Sequence, residues 1–165
     1  MINPIINDFL QFAPNFLKIK LKSGRIIPFE LNRAQLFAHQ RLENQLKELG
    51  RVRAIVLKGR QLGFSTQIQA RYFHRIVTRK GYKAFILSHE TEATKNIFDI
   101  TKRFHENLPK GWCPPADKSS SKELKFNALE SEYAVGTAKT KGVGRGQTVQ
   151  LFHGSEVAFW PSAEA

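Results

Sequence analysis

Apolar and basic positions alternate from Phe16 to Lys22, break at Ser23-Gly24, and resume as Arg25-Ile26-Ile27-Pro28-Phe29. Period-two alternation on both sides of a glycine turn predicts a β-hairpin. The period then lengthens. From Arg33 to Leu49 the apolar residues Leu36, Phe37, Leu42, Leu46 and Leu49 recur at helical spacing, between Asn32, a residue type that caps helix N-termini, and Gly50, a helix stop. An amphipathic helix is predicted there. Arg53 to Leu57 is a short β-branched run that predicts a buried strand. Ser65 to Arg79 carries Ile68, Tyr72, Phe73, Ile76 and Val77 on one side and stops before Gly81, which predicts a second helix. Lys83 to Ser88 predicts another buried strand and Thr91 to Leu108 another helix. The order βαβα predicts an α/β fold with a parallel, doubly wound sheet and right-handed crossovers.

Past Leu108 the pattern is less regular. Pro109 to Lys122 is a proline- and lysine-bearing excursion whose end, Lys118 to Lys122, reads as a mobile loop, followed by two short strands at Glu123–Phe126 and Tyr133–Thr137. Gly142 to Gly146 is a glycine-rich turn. Thr148 to His153 predicts a third core strand that delivers Gly154-Ser155-Glu156 at its carboxyl end, where ligands sit in open α/β sheets.

Composition adds a partner class. In 165 residues there are 26 Lys+Arg against 14 Asp+Glu, a net +12 dispersed along the chain, which fits a polyanion such as nucleic acid or nucleotide, or an ordinary basic protein. The length fits one domain with a real core. One cysteine, Cys113, excludes an intrachain disulfide and a cysteine-based zinc site. No apolar run reaches the roughly 20 residues of a membrane span, so an intracellular, soluble protein without a membrane partner is expected.

Three places carry candidate chemistry. Lys58-Gly59-Arg60-Gln61-Leu62-Gly63-Phe64-Ser65-Thr66 follows a predicted strand and opens a helix, the context of a phosphate-binding loop. In the common pattern, G-x-x-x-x-G-K-[ST], backbone N–H groups face phosphate oxygens, a lysine adds charge and a hydroxyl reaches Mg²⁺. Here Gly63 and Ser65 are in register, Phe64 holds the lysine slot, and Lys58 stands where the first glycine belongs. Lys58 can supply the missing cation if the loop curls; an ordinary strand-to-helix turn is the alternative. Glu156 is placed as a catalytic glutamate that polarises water, with Ser155 where a metal-binding Asp is usual; a plain surface acid is the alternative. Gln35 can pair with adenine through both amide atoms, or simply be solvated. The five histidines (His39, His74, His89, His105 and His153) show no metal-ligand spacing and read as surface or half-buried. The 13 phenylalanines read as core rather than base-stacking platforms.

Together, Phe29 to Gln35, Lys58 to Thr66 and Ser155-Glu156-Val157-Ala158-Phe159-Trp160 resemble the N-terminal ATPase domain of the large terminase subunits of tailed bacteriophages and prophages. Arg60-Gln61-Leu62-Gly63 followed by Ser65-Thr66 is the specific part, and the similarity runs from about Phe29 to the end. The resemblance implies a P-loop NTPase of the ASCE type, with residues 1–30 as an N-terminal extension and hairpin and 31–165 as a partial ATPase domain. It implies a motor that hydrolyses ATP with Mg²⁺ to drive double-stranded DNA into a capsid, in the cytoplasm of a bacterial host and at the procapsid portal. Portal protein, a small terminase subunit and a homo-oligomeric ring of the full-length protein are the implied partners. By position, Gln35 resembles the adenine reader, Lys58 the displaced loop cation, Ser65 the Mg²⁺ hydroxyl, Arg60 an arginine stabilising the γ-phosphate in cis, and Glu156 the catalytic glutamate. Ser155 takes the metal aspartate's place. The chain ends nine residues past Glu156, so the expectation is a C-terminally incomplete domain without the family's nuclease. A helicase-like translocase fragment, or a basic DNA-binding module without turnover, are the alternatives.

Overall fold

The computed structural model of the chain describes residues 4–59, 61–113, 115–140 and 148–161. Its centre is β3 (Lys83–Ser88), whose residues Ala84, Phe85 and Ile86 are buried. β6 (Ser131–Thr137) and β7 (Leu151–Gly154) pair with it in parallel on either side, with Phe85 opposite Ala134 and Phe152. Beyond β6 the direction reverses. β5 (Glu123–Phe126) runs antiparallel to β6, and β4 (Lys118–Ser119) antiparallel to β5, giving the order β4-β5-β6-β3-β7. The sheet is therefore mixed rather than wholly parallel as the sequence predicts. The cause is connection length: β5 and β6 are joined by one turn of 3₁₀-helix, Asn127–Leu129, and Glu130 in the left-handed conformation, and so short a link can only fold back. Part of the expected loop at Lys118 to Lys122 is likewise drawn into pairing, as β4.

Helices cover the sheet. α4 (Phe64–Thr78) buries Ala70, Phe73, Ile76 and Val77, and α5 (Thr91–Glu106) buries Ile97, Phe98 and Phe104. Phe73 meets Phe104 at 5.9 Å between ring centroids, and Phe98 meets Tyr133 of β6 at 6.2 Å. The hairpin is present as β1 (Lys18–Lys20) and β2 (Ile26–Pro28), and Phe29 beyond it reaches Phe104 at 6.3 Å. Ahead of the hairpin are two helices with no counterpart in the sequence reading, α1 (Pro4–Asn7) and α2 (Phe9–Phe16). Asp8 caps α2 by accepting from Leu10 N–H at 2.9 Å, and Phe12 is buried against Phe16, His74 and Trp112. Eight of the phenylalanines (Phe9, Phe12, Phe29, Phe73, Phe85, Phe98, Phe104 and Phe126) are buried, as core residues should be.

Two further expectations change. α3 (Arg33–Leu49) has the predicted bounds, but its buried residues are Gln35, His39 and Leu42, while Leu36, Phe37 and Leu49 are exposed. Its inward stripe is half polar because it lies along the polar side of α4. The strand predicted at Arg53 to Leu57 is absent: residues 51–59 are all exposed and irregular, and Ile55 and Leu57 are as accessible as in an extended peptide, at 102% and 101%. β-branched residues favour a strand only where a neighbouring strand accepts them. At the free edge of β7 the Phe152 carbonyl already accepts from the Tyr72 hydroxyl of α4 at 2.7 Å, so a side chain holds an acceptor that another strand would need. Arg53 is instead tied to α3, its N–H donating to Gln45 Oε1 at 2.8 Å and its carbonyl accepting from Gln45 Nε2 at 3.1 Å. β7 starts at Leu151 rather than Thr148, and the turn at 142–146 lies outside the described residues.

Candidate functional site at the carboxyl end of the sheet

α4 opens at Gly63, whose φ of +73° lies in the left-handed region where glycine is favoured. A Cβ there would sit 2.7 Å from Gln35 Nε2, so the close approach of α3 is a second reason for glycine. The Gly63 carbonyl accepts from Gln67 N–H at 3.0 Å, the first bond of the helix, and from Gln35 Nε2 at 2.8 Å. Gln35 is buried and fully engaged. Its Oε1 accepts from Asn32 N–H at 2.9 Å while its own N–H donates to Asn32 Oδ1 at 3.0 Å, a reciprocal capping box at the start of α3. The two atoms an adenine would need thus hold the loop and the helix cap. The remaining loop residues are more open: Lys58, Gly59, Gln61 and Leu62 are exposed, with Gln61 Oε1 accepting from Lys22 Nζ at 3.1 Å and the Leu62 carbonyl from Asn32 Nδ2 at 3.3 Å. Arg60 lies outside the described residues.

Phe64, Ser65 and Thr66 are half-buried in the first turn of α4, which contains no acidic residue. The free N–H groups and positive dipole end of such a turn favour an anion. Two contacts fix the direction of this helix over the sheet. Tyr72 meets Phe152, and Gln69 Nε2 lies 2.9 Å from His153 Nδ1, so residue numbers rise along β7 as they fall along α4. The helix runs antiparallel to the strand, and its first turn lies toward the strand's carboxyl end. Ser155 is buried there, its N–H donating to the Leu87 carbonyl at 2.8 Å and its carbonyl accepting from Trp160 Nε1 at 3.0 Å. Glu156 follows in the left-handed conformation, half exposed.

The structure adds His89, for which the sequence shows only that metal-ligand spacing is lacking. It follows β3 as Glu156 follows β7, so the parallel pairing of these strands brings the two together. His89 Nδ1 lies 2.9 Å from Glu156 Oε2, within ion-pair range when the imidazole is protonated but outside the angles of a hydrogen bond, and Nε2 lies 3.2 Å from Glu90 Oε1. Phe159 leans on the ring at 5.9 Å. The signal was positional, a polar residue just past a buried strand. Ser88, immediately before it, is buried with a hydroxyl that has no partner.

Two other histidines depart from expectation. His39 and His74 are buried rather than surface residues. Burial pushes the His74 imidazole down to about 4, against the raising effect of its bond to the Ile6 carbonyl at 2.7 Å. His153 is also held at about 4, by burial first and by the charge of Lys58 second.

Among the described residues no group of three or more His, Cys, Asp or Glu side chains converges as a metal site, and no helix is long and apolar enough to cross a membrane. No family model and no curated protein matches the chain.

Proposed function

We propose that this chain is the ATP-binding part of a DNA-packaging motor of the terminase large-subunit kind, built on a P-loop NTPase core. The observation that supports it best is the antiparallel packing of α4 on β7. It turns an acid-free helix N-terminus with two hydroxyls, Ser65 and Thr66, toward the strand end that carries Ser155 and Glu156. Nucleotide phosphates are received by the first-turn N–H groups of α4, with Lys58 and Arg60 adding charge. Ser65 and Ser155 are the residues that would hold Mg²⁺ or one of its waters, a role suited to an ion that keeps several waters. When bound, Mg²⁺ and ATP supply the phosphoryl chemistry and the charge that offsets it. Glu156 accepts a proton from, and orients, the attacking water, and His89 sets the direction of its carboxylate. Double-stranded DNA, portal protein and a small subunit are the partners of the complete motor, which works in the cytoplasm of a bacterial host.

A second reading, a basic DNA-binding module without turnover, is favoured by the Gln35 amide. Presenting both its atoms to adenine requires giving up its bonds to Gly63 and Asn32, at about 1 kcal/mol each. Calorimetry with Mg-ATP separates the two. Under the motor reading Lys58→Ala and Ser65→Ala each weaken binding, and Glu156→Gln abolishes hydrolysis while preserving binding. Affinity unchanged in both loop variants rejects the nucleotide site and leaves the module.

A further inference from the structure

α3 and α4 lie side by side in parallel, in a constant register. Gln67 Nε2 donates to the Gln35 carbonyl at 2.6 Å, and four residues on, Arg71 Nη1 lies 3.4 Å from His39 Nδ1. One turn on, the register brings Arg75 level with Glu43, and Arg79, the extended cap residue just past the end of α4, follows it toward Lys47. A cavity of about 300 Å³ opens at this end, with His39, Glu43 and Lys47 along one wall and Arg71, Arg75 and Arg79 along the other. Asn7, the last residue of α1, and Asp8, the cap of α2, close a third side.

The cavity is rich in cations and poor in counter-charge. Arg71, itself buried, is paired with Glu43, and Asp8 caps α2 while keeping its charge, so the lining sets four cations, Lys47, Arg71, Arg75 and Arg79, against two carboxylates. Among the described residues Lys47, Arg75 and Arg79 have no carboxylate in an ion pair; Arg79 stacks over Tyr82 at 5.9 Å. His39 and His74 add no positive charge at neutral pH, since burial lowers both. Arg75 is held below its usual range by burial first and then by Arg71 and Arg79, with Glu43 opposing. The cavity lies beside the carboxyl-terminal halves of both helices. Their dipoles offset about half a charge each, which leaves the cluster cationic.

We propose that this cavity binds a phosphate group, as the phosphodiester of a polynucleotide or as a free phosphate ester. Guanidinium forks at four-residue steps present paired N–H donors that match tetrahedral oxyanions, and one bound oxyanion relieves the repulsion among three arginines. Arg75 is ten residues along α4 from Ser65, or ~15 Å at the helical rise, so this site is separate from the carboxyl-end site and does not rest on the nucleotide reading.

The test follows the arginine Nε–Hε NMR signals of the wild-type chain while inorganic phosphate is added. Movement of the Arg75 and Arg79 signals with saturation at millimolar phosphate is the expected result; signals that stay fixed overturn the proposal. Binding of a duplex oligonucleotide is then measured against salt for wild type and Arg75→Gln/Arg79→Gln. A slope of log K on log salt that falls by about 2 in the variant identifies a polynucleotide as the source, since each lost phosphate contact removes about 0.9. An unchanged slope with intact phosphate response identifies a free phosphate ester. Should the glutamine variant fail to fold, Arg75→Lys/Arg79→Lys keeps the charge and removes the fork, and a several-fold loss of phosphate affinity is then expected.

Discussion

Gly63→Ala is the substitution that most directly probes how the candidate loop is held. Alanine at φ +73° costs roughly 1–2 kcal/mol in backbone strain. Its Cβ meets Gln35 Nε2 at 2.7 Å, too close to keep, so the Gln35 side chain must swing away. That movement breaks its bonds to the Gly63 carbonyl and to Asn32 N–H, at about 1 kcal/mol each. The expected loss is ~3–4 kcal/mol, a large share of the stability of a small domain. In a Gln35→Ala background the clashing group is gone and the same substitution costs only the strain. A double-mutant cycle by urea denaturation, followed by far-UV circular dichroism, should therefore show a coupling of ~2 kcal/mol. If Gly63→Ala costs the same in both backgrounds within ~0.5 kcal/mol, Gln35 does not brace the loop and the account of Gly63 is wrong.

Replacing Ile55 and Leu57 by lysine should change stability by less than ~0.5 kcal/mol each and lower aggregation measured by light scattering; a loss of several kcal/mol would mean that the segment is a buried strand after all. Acid should destabilise the fold through its histidines: a chain that unfolds lets His74 and His153 take up protons near 6.5, whereas in the fold they do so near 4. Stability is thus full above about pH 6.5 and falls as pH drops toward 4, by ~3 kcal/mol per histidine at 1.4 kcal/mol per pH unit, and His74→Leu should flatten this dependence in melts at pH 7 and pH 4.5. Phe104→Ala, which empties a fully buried position between Phe29 and Phe73, should cost ~3–5 kcal/mol in the same urea assay.

Most elements were legible in the sequence because they are specified locally. α3 is bounded by its own cap residues, Asn32 and Gly50, and β3 by a run of apolar residues between Lys83 and Ser88, so their bounds follow from nearest neighbours. α2 is not legible in the sequence because Pro14 and an almost wholly apolar composition hide its period, although Asp8 caps it. Of the candidate site, the glycine-bearing loop, the hydroxyls at the start of α4 and the position of Glu156 after a strand could be read directly. His89 could not, since it gains meaning only when β3 and β7 pair and bring two strand ends side by side.

By itself, then, the sequence determined the local elements, the cationic excess, and the glycine that opens α4, because propensity, capping and charge belong to short stretches of chain. Tertiary structure decided the rest. Whether Ile55 to Leu57 forms a strand depends on a neighbour to pair with, and the Tyr72 hydroxyl already occupies a β7 edge carbonyl. Whether Gln35 faces a ligand or braces Gly63 depends on the 2.8 Å bond that the parallel packing of α3 on α4 creates. The same packing, through its constant register, gathers three arginines into one cavity, a grouping that distance in space fixes and distance along the chain conceals.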